Sequence, residues 1–169
     1  MDADRREALV EKRRLLQLRQ RRQEMSRTFR EFAPSLRVAG VRCAKLMPAR
    51  FPAILGPVLC APGQDERLLW GPIPNGICNL WSSPGERDLL VRQALHACVA
   101  PEERVAVVFH TAEAGLLISA ADLSRHAPLI LGDRPDTIWI VAAAGGPWLI
   151  ELAFWDRELC YTENLPLFA

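Results

Sequence analysis

Proline is spread so unevenly through these 169 residues that it fixes where helix can form. Asp4 to Phe32 holds neither Gly nor Pro and is rich in Arg, Gln, Glu and Leu, whose side chains lose little freedom in a helix. Pro34 is expected to end that helix. Seven of the 13 prolines then fall at Pro48, Pro52, Pro57, Pro62, Pro72, Pro74 and Pro84, and each removes a backbone donor. That middle region must be turns and short strands. The division predicted is a charged helical arm over 1–33 and an α+β domain over 34–169, with a Pro-rich β region at 34–82 and a helix–strand core at 83–169.

In the arm, Leu18, Met25 and Phe32 recur every seven residues, and Leu15 and Phe29 add a second row that Arg22 interrupts. One stripe of the helix is therefore apolar. It can lie on the body of the same chain, or on a second copy or another protein. The formal net charge of +1 is a cancellation: residues 1–32 carry ten Arg/Lys against six Asp/Glu, and the remainder eleven against fourteen. A basic arm suits an acidic partner or nucleic acid. Nucleic acid is the weaker expectation, because no basic–aromatic recognition motif accompanies the charge.

Leu36 to Leu46 alternates imperfectly and reads as a strand bent at Gly40. Phe51–Leu59, Leu68–Trp70 and Ile77–Trp81 read as further strand pieces. Pro72-Ile73-Pro74-Asn75-Gly76 has turn chemistry, so a hairpin joining Trp70 to Trp81 is expected. Ser83-Pro84-Gly85-Glu86 is a capping box that starts a helix running to about Val99. Val105-Ala-Val-Val-Phe109 is apolar throughout and of strand length, which predicts a strand covered on both faces. Leu116–Ser119 is its expected hairpin partner, and Ser119-Ala-Ala-Asp122 caps a short helix that Pro128 closes. Ile138–Ala142 and Trp148–Trp155 flank Gly145-Gly146-Pro147 as a hairpin. In its second strand Trp148, Ile150, Leu152 and Phe154 share one face, and Leu149, Glu151, Ala153 and Trp155 the other. Leu159–Thr162 adds a last strand. The fold class expected is α+β: a single mixed or antiparallel sheet with two packed helices, preceded by a long amphipathic N-terminal helix.

Chemistry is sparse. With 50% hydrophobic and 24% charged residues the chain is not a disordered one. Its longest uncharged candidate span, Thr137 to Ile150, is broken by Gly145, Gly146 and Pro147. Cys43, Cys60, Cys78, Cys98 and Cys160 are odd in number, dispersed and without a CxxC pair, and the N-terminus lacks the apolar core of a secretory signal. Reduced, mostly buried thiols in a cytoplasmic protein are expected, with no metal site. No phosphate-binding glycine loop or dinucleotide fingerprint occurs, and no cofactor is expected. His96 and Cys98 are two positions apart on a helix and do not converge. His126 suits the last turn of its helix, where an imidazolium complements the dipole. His110, ending the buried strand, and Glu113 form the best available acid–base pair. Glu151 falls mid-strand between apolar residues and is expected to face solvent. Asp133, Asp136, Asp156, Glu158 and Glu163 crowd the C-terminal third, and with Trp155 they have the composition of an acidic interface with an aromatic anchor.

From Val105-Ala-Val-Val-Phe109 through Ser119-Ala-Ala-Asp122 to Asp136-Thr-Ile-Trp-Ile140 and Trp148-Leu-Ile-Glu151, about 50 residues, the chain resembles small bacterial toxin-immunity proteins in the order and size of its elements. That resemblance implies a non-enzymatic cytoplasmic protein that neutralises a toxin by occluding its site; it assigns no residue. The leading expectation is a protein-binding module that meets a basic toxin domain through Trp155, Asp156, Glu158, Asp133, Asp136 and Glu163. The alternatives are a small hydrolytic enzyme using His110 and Glu113, and an assembly or nucleic-acid-binding subunit acting through Leu15, Leu18, Met25, Phe29 and Phe32. No membrane partner is expected.

Overall fold

An apolar strand such as Val105–Phe109 must be covered on both faces, and the architecture follows from that demand. The computed structural model describes residues 12, 13, 16, 33–46, 54, 68, 70, 71, 73, 75–109, 115–132, 137–144 and 146–163. The elements are β1 (Cys43–Leu46), β2 (Ile77–Leu80), α1 (Pro84–Cys98), β3 (Arg104–Phe109), β4 (Gly115–Ser119), α2 (Ala120–Arg125), α3 (Ala127–Leu131), β5 (Thr137–Ala142), β6 (Leu149–Ala153) and β7 (Glu158–Thr162). The strands form one sheet of order β1-β4-β3-β5-β6-β7-β2, antiparallel at every step. The chain is α+β.

Alternation along β3 divides the core between the two faces. Val105, Val107 and Phe109 join Leu116, Ile118, Ile138, Ile140, Ile150 and Leu152 under the helices, whereas Ala106 and Val108 join Leu46, Trp139, Val141 and Leu149 behind the sheet. Trp148, Ile150, Leu152 and Phe154 share the helical side, as their spacing requires. Helix α1 lies against β6 and β7, and α2 against β4. No described helix is long and apolar enough to cross a membrane.

Local chemistry sets the helix ends. Ser83 Oγ accepts from the Glu86 N–H (3.2 Å). Glu86 reaches back one residue further than a capping box prescribes, taking the Ser82 N–H (2.7 Å) and Ser82 Oγ–H (2.6 Å). Those bonds to Ser82 hold its carboxyl below the ordinary range. Ser119 Oγ caps α2 through the Asp122 N–H (3.0 Å). On α1 the buried stripe is Arg87, Asp88, Val91, Ala94 and Leu95. Arg87 and Asp88 form a buried pair (2.7 Å), and Arg87 also donates to the Gly132 carbonyl after α3 and lies 5.4 Å from the Phe154 ring centre. One guanidinium thus ties α1 to α3 and to the end of β6.

Several expectations change. Residues 33–38 are helical, so Pro34 lies inside a helix and the strand begins only at Cys43. Gly40 (φ +72°) ends that helix: the Val41 N–H donates to the Leu36 carbonyl and the Gly40 N–H to that of Arg37, which brings Leu36 and Val41 together in the core. The Ile73–Gly76 turn forms, with Asn75 at φ +57°, but β2 pairs with β7 and not with the Leu68–Trp70 piece. Pro128 stands in the first turn of a second short helix, so His126 is at once the C-cap of α2 and the N-cap of α3, where the two dipoles oppose. Helices α1, α2 and α3 stand where two packed helices were expected, and residues 33–38 are helical besides. Of the arm only Lys12, Arg13, Leu16 and Ala33 are described, and all are helical; Leu15, Leu18, Met25, Phe29 and Phe32 lie outside the described residues.

Glu151 is the largest departure. It has no exposure. Its Oε2 accepts from the Leu68 N–H (3.0 Å) and Trp139 Nε1–H (2.9 Å), and its Oε1 from Trp70 Nε1–H (2.9 Å). The carboxylate holds Leu68 and Trp70 onto the back of the sheet, beside the second core. Among the described residues no buried side-chain nitrogen or oxygen lacks a partner. Glu151→Gln sets an NH2 donor against one of these N–H groups and is expected to cost about 2–3 kcal/mol in urea unfolding; Glu151→Leu orphans all three donors and costs more. Ser83→Ala, by comparison, should cost about 1 kcal/mol.

Candidate functional site

With both faces of the central strands buried, the exposed parts of the sheet are its edge and its turns. β2 closes one side of the sheet and, among the described residues, pairs with β7 alone. Edge strands are ordinarily guarded by lysine, proline or a bulge. Ile77-Cys78-Asn79-Leu80 carries none of these, and Leu80 is 70% exposed.

The β6–β7 hairpin lies beside this edge. Phe154 turns inward and packs edge-on against Trp81 (ring centres 5.7 Å apart). The next residue, Trp155, is 80% exposed. The turn closes with the Arg157 N–H on the Phe154 carbonyl (3.3 Å), Arg157 being at φ +52°. Trp81 N–H donates to the Arg157 carbonyl (2.9 Å), which locks the hairpin turn to the end of β2.

Register brings part of the acidic set here. Leu80 opposes Glu158, which in turn opposes Ala153, so the three form one row across β2, β7 and β6. Asp156 is exposed in the turn and Glu158 half-buried. Trp155, Asp156, Glu158 and Leu80 therefore belong to one corner of the molecule. Glu163 is exposed just past the far end of β7, roughly 17 Å away at about 3.4 Å per residue, near Cys98. Asp133, Asp136, His110 and Glu113 lie outside the described residues.

The next row on the same face of the edge holds a bond that dispersed cysteine spacing did not disclose. Cys78 directly opposes Cys160, and the two form a disulfide with Cα atoms 4.1 Å apart. The expectation of uniformly reduced thiols is corrected: strand register, not closeness in sequence, made this pair. Continuing inward, Cys160 opposes Glu151 and Glu151 opposes Trp139, so the exposed disulfide edge and the buried carboxylate stand in one cross-strand row. Glu158 completes a group with Cys78 and Cys160 whose ligand atoms lie within 4.8 Å of one another, but the two sulfurs are bonded to each other.

Neither described free thiol is poised as a nucleophile. Burial, then the Glu163 carboxylate, push Cys98 up to about 12, and burial, then Asp122, raise Cys43. His96 is exposed while Cys98 is half-buried with its sulfur 3.9 Å from the Thr162 carbonyl oxygen, so the two do not act together.

Compared with family models, with curated proteins and with solved structures, the chain matches none.

The disulfide spans 82 residues of chain. Replacing both cysteines by serine should lower unfolding free energy by about 2–4 kcal/mol, since the unfolded chain regains the freedom that the ring denies it. Denaturant titration of the oxidised and variant proteins measures this.

Proposed function

We propose that this chain is a protein-binding module that blocks a basic partner by occlusion, in the manner of an immunity protein, and that it does so through the β6–β7 turn and the β2 edge. The observation that carries the reading is Trp155: 80% exposed, at the same corner as Leu80 (70% exposed), and followed by Asp156 and Glu158. An aromatic anchor with carboxylates at its rim is the composition of a protein-contact hot spot. The turn is also rigid, being held by Trp81 on one side and Phe154 on the other, so little ordering entropy is lost on contact. A basic partner is the occupant that the acidic residues select, and their charge would accelerate encounter.

The test begins with a partner recovered from the native host with the full chain as bait, then purified. Trp155→Ala should weaken its affinity about thirtyfold, mostly through faster dissociation. Asp156→Lys with Glu158→Lys should slow association about tenfold and flatten its salt dependence. A partner whose binding ignores both sets of substitutions would remove this face from the reading.

A further inference from the structure

A groove on the helical layer, away from the hairpin, has a different chemistry. Residues four apart lie on the same side of a helix, so α1 presents Arg92 with His96 in one row, beside Leu95 and the C-cap residue Val99. Facing them are Ala120, Ala121, Ser124 and Arg125 of α2 and Pro128 of α3, and Pro101 closes one end. The Pro101 carbonyl accepts the Ala121 N–H (2.9 Å), fixing that end to α2. The space enclosed is about 450 Å³.

Its lining is divided. Leu95 and Ala120, each 3% exposed, form an apolar floor, and the small Ala121 leaves room above it. Arg92, His96 and Arg125 supply three basic side chains from two helices, and none of the described lining residues is a carboxylate. Arg92 Nε donates to the Asp88 carbonyl (3.2 Å), but the Asp88 carboxylate is taken by Arg87. Among the described residues neither Arg92 nor Arg125 has an ion pair. Two guanidiniums without counterions at the rim of an apolar cleft are matched by an oxyanion attached to an apolar body, because a guanidinium offers forked donors to carboxylate and phosphate alike. The volume is that of a small-molecule site.

We infer that this groove binds a small amphiphilic anion, a carboxylate or phosphate monoester on a compact apolar body. Arg92 and Arg125 hold the head group, Ser124 and His96 stand beside it as further hydrogen-bonding groups, and the body lies over Leu95, Val99 and Ala120. This site is independent of the partner-binding face.

Titration of the full chain, followed by amide nitrogen–proton spectra, tests it with three probes: 4-phenylbutyrate, phenyl phosphate and the neutral 4-phenylbutyramide. At least one anion should shift the amides of 92–99 and 120–128 saturably, and the better of the two identifies the head group. The neutral amide should bind at least about tenfold more weakly. Arg92→Gln with Arg125→Gln, both on the surface, should abolish the preference for the anion, and Ala121→Phe, which fills the groove, should abolish binding of every probe. Asp156→Lys with Glu158→Lys should leave binding unchanged. The inference is overturned if neither anion shifts these amides, if acid and amide bind equally, or if the double arginine variant binds the anion as the parent does.

Discussion

A single carboxylate holds the back of this molecule together. Glu151 sits in the middle of β6, without exposure, and gathers one backbone and two indole N–H groups from segments 12 to 83 residues away. Leu68 and Trp70, which it holds, pack with Leu46 and Ile54 against Ala106, Val108 and Val141. The charge that appears misplaced in an apolar strand is what permits a two-sided core in an antiparallel sheet. A carboxylate suits this role better than an amide, because it accepts on both oxygens and offers no donor to collide with the indoles.

Covering both faces has a cost in available surface. The helices take one side and the clamped segment the other, so the surfaces proposed for recognition lie where the described packing ends: the β2 edge, the turn carrying Trp155, and the groove between α1 and α2. These differ in character. The first two carry exposed apolar and acidic groups, the composition from which a protein partner is proposed. The groove is concave and basic, suited to something small.

What could be read from the sequence was what is written locally. Ser83 and Ser119 announced their helices because a cap acts within three residues, and Val105–Phe109 declared its two-sided burial because alternation is absent over the whole strand. The Gly145-Gly146-Pro147 hairpin followed from adjacent turn chemistry. What failed was non-local. Leu36 belongs to a helix and not to a strand, because Gly40 ends that helix in a left-handed turn that alternation cannot reveal. β2 left its sequence neighbour Trp70 for β7, since Trp70 was wanted at Glu151. Cys78 and Cys160 met by register alone. The acidic cluster was legible as composition, yet only Asp156 and Glu158 among its described members share the Trp155 corner, and Glu163 does not, because five residues of extended chain carry it to the opposite end.

The Cys78–Cys160 bond also changes the molecule's connectivity. It encloses α1 to α3 and β3 to β6 in a covalent ring, from which the two chain ends leave side by side at neighbouring strands. Such a chain cannot be drawn through a narrow passage as a single file. A machine that pulls on either end, to degrade or to translocate it, meets the ring at the sheet edge and must admit a doubled chain or have the bond reduced first.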